Sequence, residues 1–263
     1  MAHLERILIY PVKSLDGVWL PSVRLLKSGA LEGDRRFALF DSQEKYVNGK
    51  RHAQVHHLRS SFDVMTRTLH LRNGDGRRAG SFHVDQELAR LQEWLAEFFG
   101  FPVHFRENPA AGFPDDTDSP GPTVVSTATL HEVASWFPGL NVEQLRKRMR
   151  ANLEIGGVPA FWEDQLYGPA GTRLRFQIGD VEFHGINPCQ RCVVPPRDPL
   201  SGETYPQFAK IFAKKRQETL PTWAERSRFN HFYRLAINTA LPSDQGGKIV
   251  RLGDAITIAG RQV

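Results

Sequence analysis

Gly-Asp pairs at residues 179–180 and 253–254 each separate two short strand-like runs, residues 173–178 from 181–184 and residues 248–252 from 255–258. Glycine beside aspartate supplies the positive-φ residues that a two-residue hairpin loop needs. Each pair therefore predicts a hairpin. Many short strands joined in this way favour a small barrel over a parallel sheet with crossover helices. The expected fold class is α+β and strand-rich.

The N-terminal half repeats the theme. Residues 36–41 and 45–47 read as a hairpin, and residues 62–65 and 68–71 alternate with period two ahead of the turn Asn73-Gly74-Asp75-Gly76. A helix is predicted from Asp85 as N-cap, with Leu88, Leu91, Leu95 and Phe98 at helical spacing and Gly100 as its stop. Residues 103–105 read as a strand. Four prolines and three aspartates between residues 107 and 122 mark a loop or inter-domain connection. Residues 123–126 then predict a strand leading into a helix through Trp136, residues 142–150 a second helix, and residues 152–155 a strand. No internal repeat interrupts this order. A chain of 263 residues can bury its core without staples, and the loop divides it into expected units of 1–115 and 116–263.

No apolar run reaches the length of a membrane span. The chain enters a strand-like run at Leu4 without the layout of a signal peptide, so a cytoplasmic location and no membrane partner are expected. Net charge is +5, and arginine outnumbers lysine 25 to 9. Arginine makes fixed bidentate contacts to phosphate and carboxylate, so the balance fits an anionic ligand or an acidic partner; a solvated basic surface has the same composition. No nucleic-acid-binding motif accompanies the charge, and no nucleic-acid partner is expected.

The chain's only cysteines, Cys189 and Cys192, lie in Asn187-Pro188-Cys189-Gln190-Arg191-Cys192-Val193-Val194-Pro195-Pro196. The prolines predict a rigid loop and argue against a central strand or helix interior. A thiolate is a soft metal ligand, and a neighbouring cation such as Arg191 favours that metal-binding form. Two cysteines exclude an all-cysteine iron–sulfur cluster within one chain, which needs four. A structural zinc site needs two more ligands, of which His184 could offer one. A thioredoxin-like redox pair usually opens a helix after a strand, which Val193-Val194-Pro195-Pro196 argues against, and simple buried thiols remain open at this point.

Five segments in order along the chain carry a family resemblance. Tyr10-Pro11-Val12-Lys13-Ser14 with Gly29-Ala30-Leu31-Glu32-Gly33-Asp34-Arg35-Arg36 resembles the start of the beta-barrel-like module that precedes MOSC domains, named for the molybdenum cofactor sulfurase C-terminal domain. Arg150-Ala151-Asn152-Leu153 is similar to the family's Arg-Pro-Asn-Ile segment, with alanine in place of proline. Phe161-Trp162-Glu163-Asp164 resembles its acidic loop, and Pro188-Cys189-Gln190-Arg191-Cys192 with Asp198-Pro199 and Gly202 resembles its cysteine signature. The resemblance extends to the mitochondrial amidoxime-reducing component and to bacterial proteins that detoxify N-hydroxylated bases.

The resemblance implies a C-terminal MOSC β-barrel with flanking helices, packed on the N-terminal β-rich module. It implies a molybdenum–molybdopterin cofactor whose metal is ligated by Cys192, the catalytic position, and not by Cys189. Lys13, Ser14, Arg35 and Arg150 match positions that hold the cofactor's phosphate, with Ser126, Asn152 and Arg191 as further cofactor-binding candidates. Residues 146–148 read instead as an exposed helix face, and Glu163 and Asp164 as a solvated loop. Asn230 replaces a glycine that relatives carry where a strand begins along the cofactor. The implied activity is molybdenum-dependent reduction of small N-hydroxylated substrates. The chain ends soon after its last strand-like run, without a fused ferredoxin domain, so a separate electron donor of flavin reductase, ferredoxin or cytochrome type is expected. The alternative is a non-catalytic carrier of the cofactor or of sulfur.

Overall fold

The computed structural model describes residues 1–258; Arg261-Gln262-Val263, on which the expectation about a fused ferredoxin domain rested, lies outside the described residues. The elements in chain order are β1 (His3–Ile9), β2 (Val18–Leu20), β3 (Ser22–Arg24), β4 (Phe37–Phe40), β5 (Leu58–Asp63), β6 (Thr68–Asn73), β7 (Ala79–His83), α1 (Leu88–Phe99) and β8 (His104–Glu107). After a long loop come β9 (Val124–Ser126), α2 (Thr127–Ser135), α3 (Val142–Met149), β10 (Leu153–Gly156), β11 (Leu174–Ile178) and β12 (Val181–Gln190). α4 (Phe208–Glu218), β13 (Arg234–Ala240), β14 (Ile249–Arg251) and β15 (Ile256–Ile258) complete the described chain.

The principal sheet has eight strands in the order β15-β11-β12-β13-β9-β10-β1-β2, so it draws on both halves of the sequence. Its pairs are antiparallel except β9 with β10. The sheet curls until residues beside β15 meet the start of β1. Leu4 N donates to Asp254 O at 2.8 Å, Gly253 N to Leu4 O at 2.8 Å and Ile256 N to Ala2 O at 3.0 Å. No closed barrel is found among the described residues, so the architecture is mixed and strand-rich, and the expected C-terminal barrel is not shown. Leu4, Ile7, Phe176, Phe183 and Ile237 are fully buried in this sheet's core. A second core joins the β4–β8 pair and the β5-β6-β7 sheet to α1, and a third joins α2, α3 and α4.

The first Gly-Asp hairpin forms as expected, with Ile178 opposite Val181 and Gly179 at φ 60°. The second does not. β14 pairs with β3 and β15 with β11, so Gly253-Asp254 hands the chain from one sheet to another. Asp254 accepts from Arg251 N at 2.7 Å, which closes the turn locally without requiring its flanks to pair. Residues 36–41 and 45–47 do turn back on each other, with Phe40 bridged to Tyr46, Asp41 N donating to Lys45 O at 2.9 Å and Val47 N to Leu39 O at 2.8 Å, while β4 takes its longer partner, β8, from a distance.

Helix α1 begins later than predicted. Glu87 occupies its N-cap without a side-chain bond, because both carboxylate oxygens of Asp85 are taken by Arg67 at 2.6 Å each. A bidentate guanidinium is the stronger donor set. Gly100, at φ 79°, ends the helix as expected. The cysteine segment departs further from the sequence reading, since β12 runs through Pro188 to Gln190. β11 pairs with β12 only as far as Gly185, and the β12–β13 register shifts on both sides of Pro188. Proline therefore removes no ladder bond in this stretch. α4 has no counterpart in the sequence reading.

Candidate functional site

The segment from Tyr10 to Lys13 runs beside residues 34–37. Arg35 N donates to Tyr10 O at 2.7 Å, Phe37 N to Pro11 O at 2.9 Å and Lys13 N to Phe37 O at 2.8 Å. This pairing brings Lys13, Ser14 and Arg35 to one wall. The C-terminus of α3 delivers Arg150 to the same place. Three of these predicted residues hold the left-handed backbone without being glycine: Ser14 at φ 72°, Arg35 at φ 48° and Arg150 at φ 54°. Each such conformation costs on the order of 1 kcal/mol and concentrates at functional sites.

Together they line a cleft of about 1150 Å³ that also contains Asn152, Cys189, Arg191 and Cys192. Twelve lysines and arginines line it against five acidic residues, an excess of seven charges where the whole chain has five. The chain's basicity is thus focused on one concave surface, where low-dielectric walls strengthen the field.

The charges differ in their partners. Lys13 is almost wholly buried, and its Nζ donates to Phe113 O at 2.8 Å and Asp115 Oδ1 at 2.7 Å. Burial lowers the Lys13 pKa while Asp115 works against that shift. Desolvation by the cleft walls raises Asp115, but the charge and hydrogen bond of Lys13 outweigh it and hold the carboxyl at about 2. Arg35 is paired with Asp34 and reaches Asn152 Oδ1 at 3.5 Å. The Arg150 guanidinium lies 3.9 Å over the Tyr10 ring, and the side chain has no hydrogen bond or ion pair to any described residue. It is a desolvated cation whose donors are free.

Asn152 is buried and stitches strands together: Nδ2 donates to Leu8 O at 3.0 Å, while Oδ1 accepts from Thr123 N at 3.2 Å. Ser126 is not brought to the cleft. It caps α2, accepting from Thr129 N at 3.1 Å.

On the facing wall, three arginines fix the cysteine loop. Arg148 donates to Pro195 O and Pro196 O at 2.9 Å each and to Asp198 Oδ2 at 3.1 Å. Arg197 reaches Gly49 O at 2.8 Å, and Arg191 spans Met149 O and Cys189 Sγ, the latter at 3.3 Å. Arg191 therefore contacts Cys189 and not Cys192. The half-buried Cys192 Sγ accepts from Val194 N at 3.5 Å. The exposed-face reading of residues 146–148 is corrected, as only Lys147 is exposed. Arg146 is buried against Glu154, and Arg148 is buried under the loop. Arg148, Arg197, Tyr10 and His56 line the cleft without having been singled out as site residues in the sequence. The Arg-x-Arg-x-Arg spacing of Arg146, Arg148 and Arg150 was the available signal.

Glu163 and Asp164 are also corrected, from solvated to buried. Neither is among the residues lining the cleft. Asp164 pairs with Arg216 of α4, and Glu163 accepts from Thr129 Oγ1 at 3.0 Å. Burial, then the neighbouring Asp164, push the Glu163 pKa well above its ordinary 4.5. The folded protein keeps this proton to higher pH than the unfolded chain does. The corresponding stability is full below the unfolded value and is lost as pH rises through the raised one. Glu163→Gln is therefore expected to gain on the wild type from about pH 5 to about pH 7 and to hold that gain above it, by on the order of 2 kcal/mol in urea unfolding. A pH-independent difference would contradict this.

His184 is engaged by Glu182 at 3.0 Å, and no group of three His, Cys, Asp or Glu among the described residues could hold a metal alone. Asn230 is exposed and accepts from Arg234 at 2.8 Å, four residues before β13 settles into its ladder. No helix among the described residues is long and apolar enough to cross a membrane.

Residues 1–101 match the family described as MOSC N-terminal beta barrel domain, and residues 123–257 match the MOSC domain family. Similar proteins include the molybdenum cofactor sulfurases of Caenorhabditis briggsae and Caenorhabditis elegans, 28% and 25% identical over 109 residues. Those residues are 40% of this chain, which spans only 14% of either curated relative's length.

Proposed function

Because the chain belongs to the MOSC-domain proteins, with a MOSC N-terminal beta barrel domain ahead of the MOSC domain, we propose that its cleft holds a molybdenum–pterin cofactor and reduces small N-hydroxylated compounds. One observation carries this reading: Arg150, a desolvated cation with free donors, shares a cleft with the accessible thiol of Cys192. A soft ligand at one wall and an anion cradle at the other are the two donor types that a metal–pterin phosphate requires.

The residues fit the group. Cys192 would be the protein's ligand to the metal, and Arg150, Arg35, Lys13 and Ser14 would hold the phosphate. Asn152 acts through Arg35 and the strands it ties, while Ser126 serves α2 alone. When bound, the cofactor supplies a centre that accepts oxygen and passes two electrons. The chain orients it: Arg148, Arg191 and Arg197 fix the loop that bears the thiol, and Tyr10 supports Arg150 from below. The electrons come from a separate donor of flavin reductase, ferredoxin or cytochrome type, with an acidic face suited to the basic cleft. The cytoplasm is the matching compartment.

Turnover of an amidoxime with a chemical electron donor, on protein made in cells that synthesise the cofactor, tests the activity. Reduction to the amidine supports it, and a loaded protein that leaves the amidoxime intact rejects it. Arg150→Ala is expected to lower cofactor retention roughly tenfold to hundredfold, the worth of one or two charged hydrogen bonds. Thermal stability should barely change, because the side chain gives up no protein hydrogen bond.

The similarity to molybdenum cofactor sulfurases favours one second reading, a carrier that holds sulfur as a persulfide on Cys192. Persulfide on the purified protein, without molybdenum or turnover, would select it.

A further inference from the structure

The cleft is larger than the upper end of an ordinary small-molecule pocket, about 1,000 Å³. It continues past the cysteine loop onto the β5-β6-β7 sheet. His56 marks the junction: an added Cβ on Gly49 would lie 3.0 Å from its Nε2 and 3.7 Å from Val194, two residues beyond Cys192. His56 is nine-tenths buried and borders the cleft, its imidazole set against the Gly49 backbone.

Beyond it lie two arginines. Arg59 and Arg72 are directly opposed across β5 and β6, and both line the cleft. Like charges facing each other across an antiparallel pair destabilise it unless something answers them. Arg59 is partly answered by Asp16 at 3.3 Å and by His56 O, while its Nε is buried and unpartnered. The Arg72 side chain is exposed and has no hydrogen bond or ion pair to any described residue. Ala79, the next residue across from Arg72, leaves the space above this row open.

We infer that this arm is a substrate subsite, in which Arg59 and Arg72 hold the phosphate or carboxylate of an anionic N-hydroxylated compound. The inference rests on the reading above for the reaction. Arg150, Arg35 and Lys13 serve the cofactor's anion, and the second set, on β5 and β6, serves the substrate's. The N-hydroxyl group then lies toward Cys192, and a neutral substrate forgoes the anchoring contacts.

The test compares N-hydroxycytidine, N-hydroxycytidine 5′-monophosphate and 4-carboxybenzamidoxime on loaded wild-type protein and on Arg72→Ala, which removes an exposed side chain. The wild type should show a KM for the monophosphate about tenfold below that for the nucleoside, rising with salt. Arg72→Ala should erase the difference while leaving kcat and the nucleoside's KM unchanged. A parallel loss for the carboxylate identifies a general anion site; a loss confined to the monophosphate identifies a phosphate site. Equal KM values for charged and neutral substrates on the wild type overturn the proposal. Calorimetric titration with cytidine 5′-monophosphate reads the same site without turnover. Binding that Arg72→Ala abolishes, in a protein that reduces none of the three, keeps the anion site and rejects the reductase. Binding that Arg72→Ala leaves intact rejects the anion site.

Discussion

Asp164→Ala is expected to lower stability by about 3–5 kcal/mol, the cost of leaving a buried charge without its partner. Arg216 is fully buried and its guanidinium lies 4.4 Å over the Phe161 ring and 5.1 Å from that of Phe229. Asp164 is the carboxylate paired with it, and two of its nitrogens already lack a hydrogen-bond partner. The rings offer a quadrupole worth about 2 kcal/mol at best, too little to solvate an arginine excluded from water. The midpoint of urea unfolding should therefore fall steeply in Asp164→Ala. It should recover most of the loss in Asp164→Ala with Arg216→Met, which replaces the charge by an apolar chain of similar reach. A single variant within about 1 kcal/mol of the wild type would show that Arg216 escapes to water when freed.

Arg148→Met carries the second large effect, on the cysteine loop. This one side chain answers two prolyl carbonyls and Asp198 from within α3. Removing it leaves Pro195 O buried and unpaired and frees the turn beyond Cys192 to move. Residues that orient a metal ligand from behind are worth about 10–100-fold in metal affinity. A loss of that order in molybdenum retention is expected, with a fall in stability of about 3 kcal/mol. Arg148→Lys should restore little, because one ammonium cannot span three acceptors that suit a planar fork. Full retention in either variant would show that the loop holds its shape through its prolines alone.

Local chemistry was readable in the sequence wherever partners are near. The Gly179-Asp180 hairpin, the stop at Gly100 and the helix ahead of Arg150 each depend on residues within a few positions. Features decided by distant partners were not. Asp85 failed as a cap because Arg67, eighteen residues away, claims both its oxygens. Gly253-Asp254 failed as a hairpin because β3 and β11 claim its two flanks. Pro188 was read against a strand, yet it sits in β12 where no neighbour needs its missing N–H.

The site divides in the same way. Lys13, Ser14, Arg35 and Arg150 were singled out through their family motif, and the fold brings all four to one cleft with both cysteines. Arg148 was passed over because its chain neighbours looked like a solvated face. Only the loop 47 residues ahead, which lies over it, reveals its role. α4 was missed because Phe208 and Phe212 have an arginine, Arg216, as the third member of their inward stripe. A charge at a core position hides a helix from a hydrophobic pattern. Asp164, whose burial was equally unforeseen, is the reason the charge can be there.

Elemental analysis of molybdenum per chain, on wild type and Cys192→Ser made in cells that synthesise the cofactor, tests the assignment of Cys192 most directly. About one atom per wild-type chain and almost none in the variant is expected, because the soft thiolate is the chain's ligand to the metal. A correctly folded wild type without molybdenum, or a variant that retains it in full, would contradict that assignment.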